Sequence, residues 1–234
     1  MARFRYRSVA SFHPLDEERH IVPFAMTPPP TKHALIVGAS SGIGLALALQ
    51  VAPLVAKLTL CSRSYPEDLV ATVQAKNPHV EVVYERLDVS LLHEVRKFTA
   101  RHADTSFDWI VVTAGILSLN GRTETNEGLD ALAEHAPQAS FMHIYPGFVN
   151  TGIFDRFPWY VRLPSKVLAA VAAHSPEQCA QYLIATLTKP EFATGWRLLG
   201  ERGEVLPKTK YHTDDLKNVV WEHTLHTIDQ VMEV

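Results

Sequence analysis

The stretch GASSGIG at residues 38–44 combines glycines and serines in a pattern that suits phosphate binding. Glycines let the backbone turn tightly and approach a pyrophosphate without interference from side chains. The serine hydroxyls add hydrogen-bond donors. If a helix begins here, its free N–H groups and the positive end of its dipole also attract phosphates. The residues predicted to form this phosphate site are Gly38, Ser40, Ser41, Gly42, Ile43 and Gly44.

The sequence on either side of this stretch predicts the elements that would position it. Residues 34–37, ALIV, form a short continuous apolar run, which is typical of a parallel strand covered on both faces. Residues 45–52, LALALQVA, favour a helix. A strand, a glycine turn and a helix in this order form the opening of a dinucleotide-binding βαβ unit.

A second apolar strand, residues 58–63, ends at Arg63, nineteen positions after Gly44. At an offset of about 20 residues, an acid would bind the ribose hydroxyls of NAD. A cation suits the additional 2′-phosphate of NADP, which a guanidinium binds through two parallel hydrogen bonds. Arg63 therefore favours NADP, and the alternative is a solvated arginine at the end of a strand.

Further strands follow at residues 80–84 and 109–113, with a helical segment at 91–102 between them. Strands that alternate with helices predict an α/β fold with a doubly wound parallel sheet, similar to the Rossmann fold. Ligands bind such sheets at the carboxyl ends of the strands. The residues at these predicted ends are Asp88, Val89, Ala114 and Gly115.

The order of these motifs resembles the short-chain dehydrogenase/reductase family. The family spacing G-x-x-x-G-x-G is present, as is the acid after the third strand. The turn after the fourth strand reads Thr-Ala-Gly, with Thr113 in place of the family's asparagine, and the later stretch YPGFVNTGI resembles the family's nicotinamide-contacting segment. The resemblance covers most of residues 32–200. The matching residues are Gly38, Gly42, Gly44, Asp88, Ala114, Gly115, Pro146, Gly147, Val149 and Thr151.

The resemblance implies roles for several of these residues. Asp88 would bind the adenine amino group, supported by the Val89 backbone, and Ala114 and Gly115 would pack beside the ribose. Thr151 would hold the carboxamide end of NADP(H). A lid at about residues 150–174 would lie over the substrate, and its aromatic side chains suggest either an apolar pocket or ordinary packing.

The family's catalytic pair is absent from the sequence. Hydride transfer in this family uses a tyrosine whose pKa is lowered by a lysine four residues later, one helical turn along the same face. None of the seven tyrosines is followed by lysine at that spacing. The nearest combination is Tyr160 with Lys166, and we expect Pro164 to interrupt a helix between them. No catalytic residue is therefore predicted.

The interval that would contain the catalytic segment is short. Only thirty residues separate Gly115 from Pro146, about enough for a single crossover with its helix. Roughly sixty residues of the family pattern, or two βα units, are missing at a junction near Gly128 and Leu129. The predicted fold therefore lacks one strand and about two helices. The next strand, at HIYP (residues 143–146), either moves beside the fourth or leaves a gap in the sheet. We also expect the usual family dimer to be disrupted. The alternative is a natural compact variant.

Composition limits the other classes of function. The formal net charge of −3 argues against a general nucleic-acid footprint. The longest apolar run, residues 43–56, contains Gln50 and Pro53, which favours a buried helix over a membrane span. The two cysteines, Cys61 and Cys179, favour a reduced cytoplasmic compartment, although a disulfide is possible. A spacing of i and i+3 for His223 and His226 favours surface histidines over a metal site.

Residues 1–31 differ from the rest of the chain. Arg3, Arg5 and Arg7 give this segment a weak likeness to a mitochondrial presequence, whereas a flexible extension is the alternative that we favour. We expect residues 32–234 to form one domain.

Three functions are consistent with these patterns. The first is a non-catalytic or damaged member of an NADP-binding oxidoreductase family. The second is an active NADP-dependent reductase of an apolar ketone whose proton donor is water, Tyr145 or His143. The third is a regulatory protein that binds the nucleotide as a ligand.

Overall fold

The computed structural model describes residues 30–115, 138–210 and 212–232. Its main sheet has four parallel strands in the order β3-β2-β1-β4. Helices on both faces connect them, α1 and α2 on one face and α3 on the other. The bounds are β1 His33–Val37, α1 Gly42–Val51, β2 Lys57–Ser62, α2 Leu69–Gln74, β3 Glu81–Arg86, α3 Leu92–Arg101 and β4 Trp109–Val112. The predicted doubly wound parallel sheet is confirmed.

The central strands are buried on both faces, as their continuous apolar sequences predict. Ile36 and Leu60 pack against α1, and Leu35 and Cys61 pack on the opposite face, with Phe98 of α3. The strands pair in register, so that Val37 lies beside both Cys61 and Val112. The carboxyl ends of β2, β1 and β4 therefore meet at one edge of the sheet.

A second, two-stranded parallel sheet consists of β5, Ser140–Ile144, and β6, Gly195–Leu199. In the described part of the chain, β4 pairs with β1 and β5 pairs with β6, and no ladder joins β4 to β5. Of the two arrangements that the short interval allows, the gap is therefore the one observed. One face of β4 is uncovered, with Ile110 and Val112 exposed at 61% and 64%.

Helix α5, Pro176–Leu187, connects the two sheets by packing on α1. Its residues Ala180 and Leu183 share a core cluster with Leu47, and Gln50 Nε2 donates to the Glu177 carbonyl oxygen at 2.8 Å. Ser175 is the N-cap of this helix and forms a reciprocal capping box with Gln178.

Helix α4, Trp159–Ala172, follows a 3-10 turn at Gly152–Arg156 and occupies the predicted lid segment. The expectation that Pro164 interrupts this helix was wrong, because Pro164 lies inside it. A proline removes the one hydrogen bond that its own N–H would donate. Arg162 and Ala173 keep helical hydrogen bonds on either side, to the carbonyl oxygens of Pro158 and Ala169.

Two more 3-10 turns, Ala52–Leu54 and Pro190–Phe192, and a last helix, α6, Asp214–Met232, complete the described elements. Helix α6 contacts α3. None of the described helices combines the length and the hydrophobicity that crossing a lipid bilayer requires.

Candidate functional site

The glycine turn between β1 and α1 requires glycine for its backbone conformation. Gly38 has φ +99° and Gly42 has φ +58°, a region that side chains disfavour. The N–H groups of Gly38 and Ala39 donate to the Cys61 carbonyl oxygen at 2.8 Å and 3.1 Å. The turn is thereby fixed across the end of β2, and the chain then enters α1.

The same turn packs tightly against the end of β4. A Cβ on Gly44 would collide with the Gly38 carbonyl oxygen. A Cβ on Gly38 would lie 2.7 Å from both the Ala114 nitrogen and the Thr113 hydroxyl oxygen. These approaches explain why the pattern needs glycine at both positions.

Thr113 fastens β4 to the glycine turn. Its N–H donates to the Val37 carbonyl oxygen at 2.8 Å, and its hydroxyl lies 3.2 Å from that oxygen and 3.4 Å from the Gly38 carbonyl oxygen. The threonine therefore positions the turn through two strand-end carbonyls. The next residues, Ala114 and Gly115, are exposed at the mouth of the site.

The N-terminus of α1 is open to an anion. Ser41 is the N-cap and has extended backbone angles, φ −164° and ψ 173°, and its side chain makes no capping hydrogen bond. The first turn of the helix carries no acidic side chain. The N–H groups of this turn therefore face outward with the positive end of the dipole, which is the arrangement that binds phosphate.

Arg63 and Asp88 follow the ends of β2 and β3, close enough for their charges to interact. Ser62 pairs with Arg86, and Arg63 is exposed. One oxygen of Asp88 accepts hydrogen bonds from the Ser90 N–H at 3.0 Å and the Ser90 hydroxyl at 2.7 Å. These bonds, with the nearby Arg63 guanidinium, hold the pKa of the Asp88 carboxyl below its ordinary value. Asp88 is therefore an anion beside a cation at neutral pH, and Val89 follows it, partly exposed.

The segment after β5 returns to the glycine turn. Thr151 Cγ2 would lie 3.3 Å from a Cβ on Gly42. Val149 is buried and bridges to His174, whose N–H donates to the Phe148 carbonyl oxygen at 2.8 Å. This pairing places Thr151 opposite the start of α1.

The Pro-Gly turn within this segment is held from two sides. The Cys179 thiol of α5 lies 3.8 Å from the Pro146 carbonyl oxygen. Gly147 has φ +73°, and a Cβ there would collide with the Glu201 carboxylate. Glu201 was not predicted, although it follows β6, at the carboxyl end where ligand-binding residues collect in such folds. Its carboxylate lies 3.6 Å from His174 Nε2.

All the predicted nucleotide-site residues therefore lie in the described structure. The glycine turn, the Thr113–Gly115 turn and Thr151 adjoin one another, and the Arg63–Asp88 pair lies at the ends of the next two strands. The arrangement can hold an extended anion along the carboxyl edge of the main sheet.

In the described part of the chain, Tyr160 and Lys166, the nearest tyrosine–lysine combination in the sequence, do not form a catalytic pair. Lys166 Nζ pairs with the Asp155 carboxylate at 2.5 Å, and Tyr160 points outward from α4, 62% exposed. Tyr145 is also exposed, at the end of β5. The junction near Gly128 and Leu129 lies outside the described residues. Where the structure is described, no group of three or more histidines, cysteines or acids has the arrangement of a metal site. Cys61 and Cys179 are free thiols.

Solved structures of similar fold include a short-chain dehydrogenase/reductase from Burkholderia multivorans with bound NADP. It has a TM-score of 0.57 and 16% identity, over 76% of this chain and 100% of that one. YwfH, an NADPH-dependent reductase involved in bacilysin biosynthesis, has a TM-score of 0.57 and 17% identity, over 76% of this chain and 100% of that one. The Cj0485 dehydrogenase has a TM-score of 0.53 and 13% identity, over 77% of this chain and 99% of that one. At these identities the likeness concerns the fold.

No curated protein matches the chain in sequence. The family model of the short chain dehydrogenases matches residues 32–142, from the start of β1 into β5. This match contains the glycine turn, Arg63, Asp88 and the Thr-Ala-Gly turn, in the order and geometry described above. Over residues 32–142, the chain is therefore similar to the short-chain dehydrogenase/reductase family.

Proposed function

We propose that the chain binds NADP(H) along the carboxyl edge of its main sheet and is impaired in hydride transfer. The observation that carries the proposal is the uncapped N-terminus of α1 behind a glycine turn, with Arg63 and Asp88 at the ends of the next two strands, β2 and β3. Two neighbours of similar fold support NADP, since one is described with bound NADP and the other as NADPH-dependent.

Each part of the site has a role in this proposal. The N–H groups at residues 42–44 hold the pyrophosphate, and Arg63 binds the 2′-phosphate. Asp88 accepts from the adenine amino group, while Ala114 and Gly115 lie beside the ribose. The Pro146–Thr151 segment contacts the nicotinamide end. When bound, the nucleotide would donate or accept a hydride.

Impaired catalysis follows from the proton chemistry. Hydride transfer to a carbonyl needs a positioned proton donor. The sequence has no Tyr-x-x-x-Lys, and Lys166 is paired with Asp155. The gap between β4 and β5 supports the interpretation that roughly sixty residues were lost near Gly128 and Leu129. Sequencing of the transcript across this junction tests that interpretation, because a longer transcript would reveal the missing segment.

The first experiment is thermal unfolding of the purified chain with millimolar NADPH or NADH. A ligand that binds only the folded state adds about 2.7 kcal/mol at a hundredfold excess over Kd. We expect NADPH to raise the Tm more than NADH. In Arg63→Gln the two nucleotides should give equal shifts, whereas Arg96→Gln, at an exposed position of α3, should behave as the wild type. Failure of both nucleotides to raise the Tm would refute nucleotide binding.

Ser41→Asp tests NADPH binding at the N-terminus of α1 without weakening the fold. Aspartate is a good N-cap, and the extended backbone at this position is the one that a cap requires, so we expect unfolding without ligand to be unchanged or shifted upward. The added negative charge lies where the pyrophosphate would bind, so the NADPH-induced shift should disappear. Retention of the full shift would place the phosphates elsewhere.

A turnover assay distinguishes the impaired enzyme from an active reductase. NADPH oxidation in the presence of apolar ketones should stay at the rate of the protein-free control. Turnover that is lost in Tyr145→Phe or His143→Gln, while NADPH still raises the Tm, would instead establish a reductase with an unusual proton donor.

A further inference from the structure

The surface of α4 is unusual because its exposed side is apolar. Six large side chains on this helix are between 58% and 85% exposed. The same helix buries Ala169, with Val161 and Ser165 half-buried on that inner side. We call the outer set the α4 face, and its members are Trp159, Tyr160, Leu163, Val167, Leu168 and Val171.

The α4 face is continuous along the helix. At 100° per residue its members cover about half of the circumference, opposite Ala169, and the fourteen residues extend for about 21 Å. Surface helices of globular proteins normally direct their apolar side inward. Apolar patches larger than a few hundred Å² mark interaction sites. We therefore expect the α4 face to be covered by a binding partner or a lipid surface.

The charges beside the α4 face are basic. Lys166 lies at one border of the face, Arg162 lies one turn earlier between this border and Ala169, and α4 contains no acidic residue. Asp155, in the preceding 3-10 turn, pairs with Lys166 and lies near Arg162. One acid against two bases leaves this border with a net positive charge.

Helix α6 offers an internal comparison. Its exposed Leu216, Val219 and Leu225 also face solvent, but acids alternate with them along the helix. These acids are Asp215, Glu222 and Asp229. The combination of an apolar face with a purely basic helix is therefore a property of α4 and not of every exposed helix in the chain.

The apolar α4 face and the basic side chains beside it fit a lipid surface better than a second copy of this chain. Tryptophan and tyrosine favour the boundary between headgroups and acyl chains, and long basic side chains reach from that depth to phosphates. A second α4 would bring the same two bases and no acid to pair with them. We propose that α4 lies flat on an anionic membrane surface, with the α4 face among the acyl chains and Arg162 and Lys166 at the headgroup phosphates. This goes beyond the proposed function and does not depend on nucleotide binding.

The test is binding of the full chain, without nucleotide, to phosphatidylcholine vesicles with and without phosphatidylserine. Bound protein is measured by co-sedimentation. We expect at least about tenfold tighter binding with phosphatidylserine and a loss of this preference at high salt. Trp159 emission should shift to shorter wavelength on binding, and Trp159→Phe should remove that shift. This fluorescence measurement needs no variant with a changed charge.

Leu163→Glu and Val219→Glu form a matched pair, because the two side chains are 63% and 62% exposed on α4 and α6. We expect Leu163→Glu to weaken vesicle binding at least about tenfold. Val219→Glu should bind as the wild type. The double variant Arg162→Gln/Lys166→Gln should lose the preference for phosphatidylserine. Circular dichroism shows whether each variant is folded.

The proposal is overturned if the wild type binds neither kind of vesicle, or if both glutamate variants bind equally well. It is also overturned if light scattering finds a dimer without vesicles that Leu163→Glu dissociates, because the α4 face would then join two copies. If Leu163→Glu does not fold, the tryptophan emission of the wild type compared with that of Trp159→Phe decides. An unchanged spectrum with anionic vesicles would exclude insertion.

Discussion

Thr113 stands where the family pattern described above has asparagine, and its contacts show how a single side chain can hold the glycine turn. Its hydroxyl reaches the carbonyl groups of Val37 and Gly38, at the end of β1 and in the turn that follows. The sequence identified the substitution. It could not show the contact, because that contact joins residues about 75 positions apart.

Thr113→Val removes the hydroxyl and keeps the shape. We expect a loss of about 1 kcal/mol of unfolding free energy, typical for one hydrogen bond, together with weaker stabilisation by NADPH. Thr113→Ser, which keeps the hydroxyl, should retain most of both. Chemical denaturation with and without nucleotide measures the two effects, and equal stability of the valine and wild-type chains would show that the contact contributes nothing.

The two thiols should be inert in the folded chain. Burial raises the pKa of Cys61 to about 12, and burial, followed by the nearby Glu201 carboxylate, raises the pKa of Cys179. Because the thiolate is the reactive form, labelling with a thiol reagent at neutral pH should require unfolding. The rate should then rise with denaturant for both cysteines. Rapid labelling of either thiol in native buffer would contradict this burial.

At the scale of elements, the chain order was predictable because the signals are local. The first four strands were placed to within two residues. The continuity of α4 through Pro164 was missed, since one lost hydrogen bond does not end a helix that packs through Ala169. The sequence allowed β5 to pair either with β4 or away from it. Which of the two occurs could not be predicted, because strand pairing depends on contacts between residues far apart in the chain.

The α5 capping box is a further test at this scale. Ser175 Oγ accepts from the Gln178 N–H at 3.2 Å, and Gln178 Oε1 accepts from the Ser175 N–H at 3.1 Å. Ser175→Ala should lower the unfolding free energy by about 1 kcal/mol, and Ser175→Asp should restore most of it. Urea unfolding measures both. A neutral alanine substitution would mean that packing against α1 alone fixes the start of the helix.

At the scale of the whole molecule, a cluster at the amino end of the main sheet links stability to pH. His33 Nε2 lies 2.9 Å from the Thr59 hydroxyl, and its ring packs at a tilt against Phe107 with 4.5 Å between centroids. Burial, followed by the charge of Lys57, lowers the pKa of His33. Glu81 and Asp108 oppose this shift, and His102 adds to it.

This lowered pKa fixes the sign of the pH dependence. The unfolded chain takes up a proton at His33 at a higher pH than the folded chain does. The contribution to stability is therefore present above the ordinary histidine value of about 6.5 and is lost as the pH falls below it and through the folded pKa. Between pH 7.5 and 5.5, roughly the titration range of histidine, the Tm should fall less in His33→Gln than in the wild type. His79→Gln, at an exposed position, is the control.

The separate β5–β6 pair has a consequence for cooperativity. Its strands are mostly half-buried, whereas β1 and β2 are almost fully buried, and it joins the main sheet through α5 and the Thr151 contact. A structural unit attached in this way can open locally while the rest of the domain stays folded. Amide protons of β5 and β6 should therefore exchange with solvent faster than those of β1 and β2. In that partly open state the β1–α1 glycine turn would persist, and the proposed nicotinamide end of the site, at Pro146–Thr151, would be lost.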